Sequence, residues 1–232
     1  MTDVVIHAVP ERLWYVEEFL LPALDAQGAD SVRVWTDSDH RGNLVSCMEC
    51  FAAMEGGGGA WHIQDDVLLC RDFVRLARMA DAGVVYGFCC SAFGDDPGQA
   101  GLVYPEDAWH SFQCVRIPDS YARACAEWFF SGRWRELRDP ELELLYDTNQ
   151  GDDSFFRRWL QETHPAEAVR NLTPNLVEHV DLFIGGSLLS PWRSYAARAH
   201  YFPDPELVTQ LRQRLRERKH ESEERTWQSR EA

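Results

Sequence analysis

A chain of 232 residues with 45% hydrophobic content, 12% aromatic content and nine tryptophans is long enough to bury one sizeable core and far too apolar to stay disordered. Its formal net charge of −15 repels phosphates at long range, which disfavours nonspecific binding to nucleic acid or to an anionic membrane. There is no run of about eighteen apolar residues and no basic stretch leading into an apolar one at the N-terminus; the seven cysteines, with Cys89 and Cys90 adjacent, do not suit a disulfide framework. The expectation is a single-domain cytoplasmic protein with reduced, buried thiols.

Residues 3–9, DVVIHAV, form a β-branched apolar run that stops at Pro10, as a buried parallel strand would. ERLWYVEEFLLPAL then has apolar residues at helical spacing, with Pro22 expected to end or bend the helix. SVRVWTD (31–37) reads as a second strand, and DSDHRGN is a polar loop at its carboxyl end, where open α/β sheets hold ligand groups. A helix is predicted over LVSCMECFAAM (44–54). The run Gly56 to Gly59 that follows reads as a connector, because no GK[ST] comes after it and a strand, AWHI, does. QDDVLLCRDFVRLARMA reads as acidic residues at a strand end running into an amphipathic helix, and VVYGFCC (84–90) as the next strand.

Residues 91–107 are rich in Gly, Asp and Pro, a long loop and a candidate lid. HSFQCVRIP (110–118) restores strand character, and DSYARACAEWFFSGRW reads as a helix capped by Asp119 or Ser120. In GDDSFFRRWLQET (151–163) the cap would be Asp152 or Asp153. VRNLTPNLVEHV is strand-like, DLFIGGSLLSPW a loop, and 205–232 a charged helix or tail carrying Arg212, Arg214, Arg216, Arg218 and Lys219. Alternating strands and helices predict an α/β domain over 1–204 with a mainly parallel central sheet flanked by helices.

The segment Trp61-His62-Ile63-Gln64-Asp65-Asp66-Val67 carries the most chemistry: two adjacent carboxylates close an apolar strand with no local cation to balance them. A hard divalent cation is a natural partner for such a pair, and a helix cap the competing explanation. Together with VVIHAVP, the D-S-D loop, GDDSFFRRWL and NLVEHVDLFIGGSLL, in that order, this segment resembles the DxD-type motif of GT-A-fold glycosyltransferases of bacterial and phage type, over roughly residues 3–202. The resemblance implies a metal-dependent enzyme, inverting in stereochemistry, that moves a sugar from a nucleoside-diphosphate donor such as a UDP-sugar to an acceptor hydroxyl on a glycan or on a hydroxylated base in phage DNA.

Carried onto this chain, the resemblance makes Asp66 and His179 the metal ligands, with Mn²⁺ favoured over Mg²⁺ by the imidazole, and puts Asp65 near the ribose or behind the metal. The nucleotide would lie against His7, Ala8 and Pro10 and against Asp37, Asp39, Arg41 and Asn43, while Ser187, Arg193 and Arg198 would face the diphosphate. Asp153 would be the general base, with Asp152 beside it; a helix cap competes for both. Cys47-x-x-Cys50 sits in a helical stretch without a second CxxC or a spaced His pair and is not read as a zinc or redox site. A nucleotidyltransferase remains the alternative enzyme, although AVPERLW is a poor match for its basic Gly-rich loop, and a noncatalytic nucleotide-sugar-binding protein is the alternative of another class.

Overall fold

The computed structural model describes residues 3–54, 58–80, 83–87, 102–103, 112–167, 169–172, 176–179 and 205–231. Its spine is a seven-stranded sheet. The run DVVIHA forms β1 (Asp3–Ala8), which pairs in parallel with β2 (Ser31–Thr36) on one side and β3 (Ala60–Gln64) on the other. Beyond β3 lie β7 (Cys114–Ile117), β5 (Val85–Tyr86), β8 (Val169–Asn171) and β6 (Leu102–Val103), in that spatial order. Of these, β7 and β6 run antiparallel to their neighbours, so the sheet is mainly parallel, as expected. Two short strands, β4 (Val67–Leu69) and β9 (Val177–His179), make a separate antiparallel pair.

Strand parity divides the interior. Val4 and Ile6 of β1, with Trp61 and Ile63 of β3, face a core completed by Tyr15, Phe19, Leu20, Phe73 and Val177. Val5 and Ala60 face the opposite core, built by α3 (Asn43–Ala52), α5 (Asp119–Phe130), α6 (Pro140–Thr148) and α7 (Asp152–Thr163), with Phe51, Phe112, Phe155 and Phe156 fully buried. His7 and His62 share the parity of Val5 and therefore point to this second face, where their ring centroids lie 5.6 Å apart.

Several local expectations are revised. Pro22 does not end its helix. It has no N–H to offer, and its ring would meet the carbonyl of the preceding turn; the chain widens ahead of it into a π turn over Val16–Leu20, where the Leu21 N–H reaches back to the Val16 carbonyl. That turn joins α1 (Leu13–Tyr15) to α2 (Leu21–Ala26). Between the acidic pair and α4 (Phe73–Met79) the chain inserts β4, too short to announce itself by periodicity. VRNLTPNLVEHV supplies two strands to two different sheets. Neither Asp119 nor Ser120 caps α5, whose N-cap position is Pro118, and neither Asp152 nor Asp153 caps α7, whose N-cap is Gly151 at φ 73°.

The C-terminal stretch forms α8 (Pro205–Glu231). It is docked: Leu211 is buried in the first core, Arg214 makes a two-pronged ion pair with Glu18 at 2.7 and 3.2 Å, and the Arg218 guanidinium stacks 4.1 Å from the Trp14 ring. Two of the five C-terminal cations thus face the domain rather than solvent.

Candidate functional site at the carboxyl edge of three parallel strands

β1, β2 and β3 end side by side, and the residues that follow them collect buried polar groups. Asp37, just after β2, uses both carboxylate oxygens to accept the N–H groups of Arg41 (2.8 Å) and Gly42 (3.1 Å), and its own N–H donates to the Ala8 carbonyl (2.9 Å). This fixes the polar loop against the end of β1. Asp65, just after β3, donates its N–H to the His7 carbonyl (3.0 Å) and accepts the Val9 N–H (2.7 Å), tying the third strand end to the first.

The missing local cation is present. Arg12, read from sequence as one polar residue of an amphipathic helix, is buried at 6% exposure, and one guanidinium nitrogen donates to both Asp65 (2.9 Å) and Asp66 (3.0 Å). The expectation of an unbalanced acidic pair is therefore corrected: the cation comes from the turn after β1, 53 residues earlier in the chain. Burial works against the charge on Arg12, but Asp66 and Asp65 outweigh it and hold the guanidinium charged. Desolvation, with the neighbouring Asp66 charge, lifts Asp65 to about 6 in spite of Arg12. One guanidinium thus serves two carboxyl groups in a buried turn.

A second buried group lies on the α3 face. Asp152, at the start of α7, accepts from the Asn43 side-chain amide (2.7 Å) and from that of Gln64 (3.3 Å), which joins the N-termini of α7 and α3 to the end of β3. Desolvation, then repulsion from Asp153, raises it to about 7. The Cys47 thiol lies against the same carboxyl group and is pushed up by burial. His7 shares a 2.7 Å hydrogen bond with Ser46 and is lowered to about 4 by burial, with Asp37 and Asp66 pulling the other way. His62, fully buried between the rings of Phe51 and Phe112, is lowered to about 3, again by burial first.

Of the residues expected at a site, the structure brings Ala8, Pro10, Asp37, Asp39, Arg41, Asn43, Asp65, Asp66, Asp152 and Asp153 to this one edge. Asp39 and Arg41 are exposed there and paired with each other at 3.5 Å, Arg41 also reaching Glu49. Asp153 is half-buried and accepts the Ser154 N–H (2.7 Å). The backbone register of β9 sets His179 opposite Val67, the residue after Asp66; its side chain lies outside the described residues. Ser187, Arg193 and Arg198 also lie outside them, as does the 91–107 loop apart from β6. Sequence reading passed over Arg12 and Ser46, quoted His62 and Gln64 without giving them a role, and set Cys47 aside with Cys50 as neither a zinc nor a redox ligand. Strand parity contained part of the signal, since Val5 and His7 on β1 and His62 and Gln64 on β3 share a face.

Among the described residues, no helix is long and apolar enough to cross a membrane, and Cys47, Cys50, Cys70, Cys114 and Cys125 are free and buried. No family profile matches the chain, and comparison with curated proteins finds no relative. Function is accordingly read from the geometry of this edge.

Proposed function

We propose that the chain is a metal-dependent glycosyltransferase with a GT-A-like arrangement, transferring a sugar from a nucleoside-diphosphate sugar, a UDP-sugar first among them, to an acceptor hydroxyl. The observation that carries this reading is the acidic turn: Asp65-Asp66 leaves the parallel sheet at its carboxyl edge and enters β4, and β9 returns to set His179 opposite Val67. A ligand pair of Asp66 and His179 requires that juxtaposition.

The donor set fits a divalent cation on charge. Two carboxylates face one guanidinium in a buried turn, so an added positive charge is favoured there. Asp66 and His179 would hold Mn²⁺ or Mg²⁺, which when bound would neutralise diphosphate oxygens and the departing nucleotide. Asp65, committed to Arg12 and to the Val9 N–H, acts as the brace that fixes the turn. Asp37 holds the loop against which the nucleoside would rest. Asp153, more open than Asp152, takes the acceptor proton, while Asp152 locks the start of α7 in place. Ser187 and Arg193 complete the diphosphate side of the proposal. Acceptor classes compatible with this chemistry are glycan hydroxyls and hydroxylated DNA bases. A nucleotidyltransferase is less well served, since the cation in the turn after β1, Arg12, is buried against carboxylates rather than turned to a triphosphate.

The direct test is a thermal-shift and hydrolysis screen of UDP-, GDP- and dTDP-sugars with Mn²⁺ and with chelator. At least one donor should raise Tm and release free sugar slowly, both only with metal. A screen in which no nucleotide sugar shifts Tm under either condition would sink the reading.

A further inference from the structure

We infer that His7, Cys47 and His62 form a second metal site, distinct from the acidic turn, that takes one zinc-type ion as a structural group. Ligand atoms of the three side chains all lie within 4.8 Å of one another, and all three residues are buried. Two strands and a helix deliver them: His7 and His62 from adjacent parallel strands on one face, Cys47 from α3, which covers that face.

An independent observation concerns His62. It is completely buried, yet among the described residues neither ring nitrogen has a hydrogen-bond partner. The Phe112 backbone is near enough to oppose slightly the lowering of its basicity, but it gives neither nitrogen a well-formed bond. A buried imidazole satisfied by protein normally bonds through at least one nitrogen, so this ring costs free energy as it stands. An ion supplies the missing partner.

The chemistry of the set selects the ion. Two imidazoles and a thiol suit zinc or cobalt rather than the hard cations of a carboxylate site. Tetrahedral zinc with Zn–S of about 2.3 Å and Zn–N of about 2.0 Å sets its ligand atoms on the order of 3.5 Å apart, so the three groups close by roughly 1 Å on binding. The thiol loses its proton as the metal–sulfur bond forms, one proton being released to solvent per ion. The Asp152 carboxyl group lies against the Cys47 thiol and so sits beside the ion rather than among its three ligands. Ser46 orients the His7 ring through its 2.7 Å hydrogen bond, as outer-shell partners of metal-bound histidines do. All three residues are buried, so the ion is taken up as the chain folds around it.

The test refolds the full chain from denaturant with CoCl₂ or ZnCl₂, removes loose metal with chelator, and measures metal content and absorption. About one cobalt ion per chain is expected, with thiolate-to-cobalt charge transfer and the ligand-field bands of a tetrahedral site. Cys47→Ala should abolish the charge-transfer band and His62→Asn the retained metal, whereas Cys50→Ala and Asp66→Asn keep both. Refolded parental protein with native circular dichroism and no retained cobalt or zinc would overturn the inference, as would metal whose charge-transfer band survives Cys47→Ala. Because the parental stoichiometry decides by itself, a variant that fails to fold leaves the result intact. Loss of Mn²⁺-dependent nucleotide binding in Asp66→Asn, or its absence throughout, bears on the glycosyltransferase reading alone.

Discussion

The two acidic pairs of this protein meet burial with different partners. Asp65-Asp66 receives a cation, the buried Arg12, whereas Asp152, beside Asp153, receives the side-chain amides of Asn43 and Gln64 and is pushed up to about 7. Desolvation lifts Asp65 to about 6 even with the guanidinium opposing it. Asp152, with neutral donors in place of a cation, is lifted further by desolvation and by Asp153. Identical dipeptides thus become an arginine-braced turn and an amide-braced helix start, and the difference lies in residues far away in sequence.

The largest effect expected from testing this contrast is catalytic. If the open member of the second pair is the base, Asp153→Asn keeps size and donor binding but lowers turnover by about 10²–10⁴-fold. Steady-state and single-turnover kinetics on the donor found in the screen would measure it, and near-parental turnover would return Asp153 to a structural role. Retention of the donor's anomeric configuration in the product would contradict the inverting mechanism.

Next in size is Arg12→Met, which keeps the stem but leaves two carboxylates buried without their cation. Breaking a buried ion pair from one side costs about 3–5 kcal/mol, read as a drop in the urea midpoint. A change below about 1 kcal/mol would mean that Arg12 behaves like a surface pair and that the first carboxylates do not depend on it.

Asp152→Asn is smaller. It turns an acceptor into a mixed group facing two amide donors and should cost about 1–3 kcal/mol. Its sharper signature is pH dependence in the metal-free protein. Asp152 and Asp65, raised from 3.8 to about 7 and about 6, bind protons in the folded state that the unfolded chain has lost, so their contribution falls as pH rises from about 4 toward those values. His7 and His62, lowered from 6.5 to about 4 and about 3, act oppositely: their contribution is complete above 6.5 and is lost as pH falls. Over pH 4–6 the two sets nearly cancel. Removing Asp152 deletes one folded-state proton, so the stability of the variant relative to the parent should rise with pH by about 1.4 kcal/mol per unit there. A difference curve with no slope would show that Asp152 titrates as an ordinary carboxyl.

How far these features were legible in sequence depended on range. β1, β2, β3, α3 and the helix from Asp152 follow from local pattern, because parity, helical spacing and turn residues all act within a few positions. Pro22 was legible as a site of helix distortion, but not that the distortion takes the form of a π turn ahead of it, which no short pattern announces. β4 escaped because a three-residue strand owes its existence to its partner β9 rather than to its own propensity. The acidic turn was visible as a dipeptide, but Arg12 was not, since its partners are fixed only when β1 and β3 pair. His62 was hidden in the same way, and Cys47 was set aside because the CxxC lacked a spaced His pair, whereas the two histidines near it come from β1 and β3 and meet it only when α3 docks.

The central claim is that the Asp65-Asp66 turn binds a divalent cation together with a nucleoside diphosphate. Isothermal titration of UDP into parental protein and into Asp66→Ala, each with Mn²⁺ and with chelator, tests it most directly. The account predicts that Mn²⁺ tightens UDP binding to the parent at least tenfold, about 1.4 kcal/mol, and that Asp66→Ala, still folded by circular dichroism, loses this dependence. Equal UDP affinity with and without Mn²⁺ in the parent, or unchanged Mn²⁺-dependent binding in Asp66→Ala, would contradict it.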